Sequence, residues 1–133
     1  MDSCDLTQFG FIAWQAIDAT NEKALLVTLP EKFGVYVIRR VQPIGRFQGE
    51  SDIAYIGKAT NAGGLRRRIY QYFHPGPTQT TNQRILAMIA HSNAFQLSNV
   101  ICETAEEATA LEHRLLSQYD SDHLELPPLN RQG

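Results

Sequence analysis

Glu112 occupies the most telling position in this 133-residue sequence. It lies four residues after Ala108, three before Leu115 and four before Leu116, at the margin of an apolar helical stripe. An unpaired carboxylate there is costly, so it needs a partner. Two are open: Arg68 in a structural salt bridge, or a hard metal ion, which prefers oxygen ligands. Arg68 is placed in the same way. It follows Leu65 by three and precedes Tyr72 by four, so it borders a second buried stripe. Its partner is either a phosphate or an internal carboxylate. Tyr36 and Tyr55 stand on strand-like runs, where a single tyrosine is most often a core or cross-strand residue. Gly57 ends the second run, where a missing side chain lets another backbone approach. Lys58 follows at once, and alone it would simply face water. Asn130 follows Pro127-Pro128 and by itself reads as a turn or cap residue. His74, His91, His113 and His123 show no ligand spacing and receive no role.

The elements that must position these groups follow from periodicity. Leu6, Phe9, Ala13, Ala16 and Ile17 recur at helical intervals, so a helix is expected from Leu6 to Ile17. Asp18 to Glu22 is turn-like, and Leu25-Leu26-Val27 reads as a short strand or extended approach. Gly34 to Arg40 is the best strand, because Val35, Tyr36, Val37 and Ile38 are strong strand formers. Pro43, Gly45 and Gly49 interrupt it, and Ile53 to Lys58 resumes it. The two runs pair as an antiparallel hairpin with a long, exposed connection. Gly63-Gly64 opens a helix over about Leu65 to Phe73, with Leu65, Ile69, Tyr72 and Phe73 as its apolar stripe. Pro75, Gly76 and Pro77 end it. Thr80 and Thr81 start a further helix carrying Ile85, Met88 and Ile89. Phe95 to Glu103 is a third strand. Thr104, with Glu106 and Glu107 in the first turn, begins a last helix burying Ala108, Leu111, Leu115 and Tyr119. The order predicts an α+β domain with a small three-stranded antiparallel sheet flanked by helices. Residues 1–28 would be a helical extension packed on a domain of residues 29–133.

Composition sets the outer limits. A chain of this length supports one core, and its 43% hydrophobic and 20% charged residues are ordinary for a globular domain. No apolar run approaches the roughly 20 residues of a membrane span, and the acidic start Met1-Asp2-Ser3-Cys4-Asp5 does not resemble a signal peptide. A cytoplasmic protein is the expectation. Cys4 and Cys102 are the only cysteines and read as structural thiols, without a disulfide framework or zinc site. The net charge of −2 argues against an overall basic surface. Residues 31–75, however, hold eight cations against three carboxylates, a net of +5, so the remainder carries −7. This is either ordinary solvated charge or one basic face suited to phosphate.

Taken together, the motifs resemble the GIY-YIG nuclease superfamily, in wording close to its UvrC-type nuclease domains. The stretches that carry the resemblance are Leu29-Pro30-Glu31-Lys32-Phe33-Gly34-Val35-Tyr36, Ala54-Tyr55-Ile56-Gly57-Lys58-Ala59 and Leu65-Arg66-Arg67-Arg68-Ile69-Tyr70-Gln71-Tyr72-Phe73. Glu107-Ala108, Leu111-Glu112-His113 and Pro128-Leu129-Asn130 follow. Their number and order, over about residues 29–130, make the combination specific. Phe33 stands where the family often has proline, and the interval from Glu112 to Asn130 is longer than in the family pattern.

The resemblance implies a three-stranded sheet and hydrolysis of DNA phosphodiesters assisted by one divalent cation, Mg²⁺ or Mn²⁺. It implies a catalytic set of Tyr36, Tyr55, Lys58, Arg68, Tyr72, Glu112 and Asn130, with Glu112 as metal ligand. Gly34 and Gly57 would have backbone roles. Arg39, Arg40, Arg66 and Arg67 are candidate DNA contacts. In such a site Tyr36 would activate water, but only if cationic neighbours lowered its pKa from about 10. Lys58 would lower it or act as the base itself. Nothing resembles the additional domains of a repair subunit, so a stand-alone endonuclease is expected. The rivals are a non-cleaving nucleic-acid-binding module and a protein-interaction domain on the same fold. Convergence of Tyr36, Tyr55, Arg68 and Glu112 in one open cleft favours the nuclease. A closed Arg68–Glu112 salt bridge favours the rivals.

Overall fold

Val35, Tyr36, Val37 and Ile38 are all fully buried. A strand loses solvent on both faces only when both are covered, so both faces of the sheet are packed at this run. The computed structural model describes residues 1–91 and 94–130, and in it that run lies in β2 (Gly34–Gly45). β2 is flanked by β3 (Glu50–Ala59) and β4 (Phe95–Ile101), both antiparallel to it. The sheet has four strands rather than three. Gln15–Ala16 forms β1 and pairs with Leu97 and Gln96 at the outer edge of β4, giving the order β1-β4-β2-β3.

The N-terminal segment departs most from expectation. The helix expected from Leu6 to Ile17 is only a 3-10 turn, Asp5–Phe9, stopped by Gly10 at φ 98°. Leu6 still buries its side chain from that turn, and Phe11 and Ile17 bury theirs from non-helical chain beyond it rather than on one helical face. Leu25 and Leu26 lie not on a strand but in a short helix, α1 (Glu22–Leu26). The connection between the hairpin strands is also shorter than expected. β2 and β3 continue past irregularities near Arg39 to a turn at residues 46–49, closed by Arg46 N–H donating to Gly49 O at 2.9 Å.

Helices cover both faces. α2 (Gly64–Phe73) and α3 (Thr80–His91) pack Leu65, Ile69, Tyr72, Ile85 and Ile89 against Tyr36 and Ile38. α4 (Ala105–His123) packs Ala108, Leu115 and Tyr119 against Val35, Val37, Ile53 and Ile56, and Leu111 is only partly buried there. A ten-residue helix such as α2 is marginal alone. Burial of Leu65, Ile69 and Tyr72, at about 1.5–3 kcal/mol for each large apolar side chain, decides in its favour. Its start depends on Gly64, at φ 58°, where a side chain would collide with the Lys32 backbone. That approach lets the Lys32 and Pro30 carbonyls accept from Leu65 N–H and Arg66 N–H at 2.9 and 3.1 Å. α4 is capped by Thr104, whose hydroxyl accepts from Glu107 N–H at 3.1 Å. Among the described residues no helix is long and apolar enough to cross a membrane.

Candidate active site

β3 is an edge strand, with α2 over one face of the sheet and α4 over the other. A cleft of about 560 Å³ is lined by side chains from β2, β3, α2 and α4. Tyr36, Tyr55, Lys58, Arg67, Arg68, Gln71 and Glu112 all line it, so the cleft carries three cations and one carboxylate. Its rim includes the exposed residues Asn61, Ala62 and Arg67, so it faces solvent.

Strand register explains how the tyrosines meet. Tyr36 pairs directly with Gly57 across β2 and β3. A β-carbon at Gly57 would fall onto the Tyr36 phenol, 2.5 Å from its Cζ and 2.7 Å from Tyr55 Cε2. The bare glycine is what allows the Tyr36 ring to lie across the neighbouring strand. Gly34 has a similar role at the start of β2, where a side chain would strike the Val100 carbonyl and Leu65 Cδ1. Tyr36, Tyr55 and Tyr72 form a triangle with ring centroids 5.9–6.2 Å apart. The hydroxyls of Tyr36 and Tyr72, both fully buried, are hydrogen-bonded to each other. The Arg68 guanidinium lies over the Tyr72 ring, 4.8 Å from its centroid.

The electrostatics alter the expected role of Tyr36. Burial, reinforced by Tyr55, pushes its pKa far above the ordinary phenol value, and the opposing pull of Arg68 is too small to compensate. Tyr72 is raised for the same leading reason. Cationic neighbours therefore do not prepare Tyr36 as a base, because the same enclosure that brings them close also removes the solvent a phenolate needs. Tyr36 holds its proton and acts as a hydrogen-bonding group.

Glu112 is half-buried on α4, and burial raises its pKa, with Lys58, His113 and Arg68 pulling it back. Among the described residues its carboxylate has neither a salt bridge nor a hydrogen bond. Arg68 does not close onto it. Instead Arg68 Nη1 donates to Gln71 Oε1 at 3.0 Å and to Asn82 Oδ1 at 3.3 Å. Lys58 Nζ reaches Thr109 Oγ1 on α4 at 3.3 Å, which leaves its charge beside the cleft.

Other residues singled out from sequence lie elsewhere. Asn130 does not line the cleft. Its Oδ1 accepts from Ile56 N–H at 3.0 Å and its Nδ2 donates to Ile56 O at 2.8 Å, while Leu129 N–H donates to Ala54 O. The tail thus closes the free edge of β3 from Ala54 to Ile56, an edge that would otherwise expose unpaired peptide groups. Asn130 positions the strand. The four candidate DNA-contact arginines do not form one face. Arg67 alone lines the cleft. Arg39 packs on Trp14, 4.1 Å from its centroid, and donates to Gln96 and Ser3. Arg40 donates to the carbonyls of Gln42 and Pro43, and Arg66 to Leu29 O and Glu31. Sequence reasoning missed Gln71 and Asn82. Asn82 carried a signal, since it lies three residues before Ile85 on the buried stripe of α3.

The family model of the UvrC-like GIY-YIG domain matches residues 33–123. UvrABC system protein C of Alkaliphilus oremlandii (strain OhILAs) is 32% identical over 96 residues, 72% of this chain and 13% of that protein. The protein of the same name from Aliivibrio salmonicida (strain LFI1238) is 26% identical over 99 residues, 74% of this chain and 14% of that protein. The chain therefore spans a small fraction of the length of these relatives.

Proposed function

The chain belongs to the UvrC-like GIY-YIG family, and from that membership we propose that it is an endonuclease domain hydrolysing DNA phosphodiester bonds with one divalent cation. The observation that carries this reading is the cleft itself: Arg68 and Glu112 both line it, and they form no salt bridge with each other. A protein-interaction or purely structural role gives no reason to hold a half-buried carboxylate beside three cations of a cleft without a salt bridge or hydrogen bond.

The residues fit a magnesium or manganese ion. Among the described residues no group of three or more His, Cys, Asp or Glu gathers as a cage. A magnesium ion needs no such cage, because it keeps several waters and binds through one or two carboxylates plus substrate phosphate. Glu112 would supply that carboxylate, and a cation beside it would offset the desolvation that raises its pKa. Such an ion, when bound, stabilises charge on the phosphate and the leaving alkoxide.

The remaining chemistry is done by side chains of the cleft. Arg68 presents a planar fork to the non-bridging phosphate oxygens, where two parallel hydrogen bonds fix orientation as well as charge. Lys58 and Arg67 add positive charge along the path of the strand. Tyr55, half-buried on the cleft wall, offers its hydroxyl to the attacking water, and Tyr36 and Tyr72 hold it in place from below.

The test is cleavage of supercoiled plasmid with Mg²⁺ or Mn²⁺ by the wild type, Glu112→Ala and Arg68→Ala. The wild type should nick the plasmid. Arg68→Ala should lose on the order of 10²- to 10³-fold in rate, as for loss of one charge-stabilising donor. Cleavage that survives Glu112→Ala refutes the metal assignment. A folded wild type inert on nicked, branched, duplex and single-stranded DNA refutes the nuclease.

A further inference from the structure

The cleft face of Arg68 is in view, but its guanidinium is also held from behind. Asn82 is a polar residue only 4% exposed, on α3, an element with no residue lining the cleft. Burying an amide there is unfavourable unless each of its atoms is matched.

Every orientation in this cluster is forced by donor and acceptor chemistry. Arginine has donors only, so the atom of Asn82 that meets Arg68 Nη1 at 3.3 Å must be Oδ1. Nδ2 then points the other way and donates to Gln79 Oε1 at 3.0 Å. That oxygen also accepts from Gly76 N–H at 2.8 Å, so the Gln79 amide is oriented in turn. Gln83 Nε2 donates to Gly76 O at 2.8 Å and ties the same glycine to α3. A continuous chain runs from the backbone of the α2–α3 connection through Gln79 and Asn82 to the guanidinium.

We propose that Asn82, braced by Gln79, is a positioning residue that holds the Arg68 guanidinium at the orientation in which its remaining donors face the cleft. The catalytic meaning of this rests on the nuclease reading, whereas the positioning itself does not. An arginine side chain has many rotamers of similar energy. The contact with the Tyr72 ring restrains the position of the guanidinium, and the two bonds to Nη1 restrain its rotation.

The experiment reads order directly, in the full chain. The Arg68 Nε–Hε resonance, assigned by its loss in Arg68→Lys, should show a rigid heteronuclear NOE in the wild type. Asn82→Ala should loosen it. Gln79→Ala should loosen it in the same direction and to a smaller extent. Gln79 is exposed, so that variant carries the test alone if Asn82→Ala fails to fold. In the cleavage assay Asn82→Ala should lower kcat roughly tenfold or more with little change in KM, the size expected for one hydrogen bond to a charged group. An Arg68 signal as rigid in both variants as in the wild type overturns the proposal. A wild type that never cleaves DNA refutes the nuclease reading, while the NMR comparison still decides the positioning.

Discussion

Replacing Gly57 with alanine tests whether strand register builds the tyrosine cluster. The added β-carbon would meet Tyr36 Cζ at 2.5 Å and Tyr55 Cε2 at 2.7 Å, with the Tyr36 hydroxyl closer still. Carbon atoms in contact prefer about 3.5–4.0 Å, so the Tyr36 ring would have to withdraw by about 1 Å. It has nowhere to go, because Tyr36 and Tyr72 are both fully buried and their rings are already in contact. Overpacking of this kind costs about 1–3 kcal/mol. Separating the Tyr36 and Tyr72 hydroxyls leaves buried polar atoms unpaired, at about 1–3 kcal/mol. Alanine recovers about 0.4–1 kcal/mol by restricting the unfolded chain. The net expectation is a loss of roughly 2–4 kcal/mol, read by urea unfolding followed through Trp14 fluorescence, together with loss of plasmid cleavage. Gly45→Ala is the control, since nothing lies within 4 Å of a β-carbon there, and it should stay near the wild type. A Gly57→Ala protein within about 0.5 kcal/mol of the wild type, the scatter of ordinary surface changes, would refute the reasoning.

Two further outcomes follow from the same geometry. Asn130→Ala removes both hydrogen bonds to the Ile56 peptide, so it should destabilise by about 1–3 kcal/mol and speed hydrogen exchange at the Ile56 amide; unchanged exchange would show that the tail does not hold the strand. Glu112 has a raised pKa in the folded protein, so the folded state binds its proton more tightly than the unfolded state does. Stability from this group is therefore present at low pH and lost as pH rises through the folded value. Glu112→Gln should match the wild type near pH 4 and exceed it increasingly toward about pH 7, and excess Mg²⁺ should narrow that gap by stabilising only the wild type. A melting-temperature difference independent of pH would contradict the desolvated carboxylate.

Much of the fold was legible because it depends on short-range patterns. The run Val35 to Ile38, the breaker Pro75-Gly76-Pro77 and the start at Thr104 each report local backbone preference, and their elements stand close to where they were expected. Residues 6–17 misled for a related reason. Their apolar spacing suits a helix, but Gly10 breaks it, and of the expected stripe only Leu6, from the 3-10 turn, and Ile17, from non-helical chain, are fully buried. The two-residue strand β1 was invisible, since it exists only as a partner of β4.

The candidate site divides along the same line. Sequence by itself marked Arg68 and Glu112, because each sits at the edge of a helical stripe and a buried charge there demands a partner. Tertiary structure alone decided that the two do not pair, and that Asn82 and Gln71 hold Arg68 instead. It also decided that burial raises the Tyr36 pKa and that Asn130 bonds to Ile56 at the edge of β3. The physical reason is common to all of these. Residue type and spacing determine which face of an element a side chain occupies. Partners, burial and pKa belong to atoms brought together from distant parts of the chain.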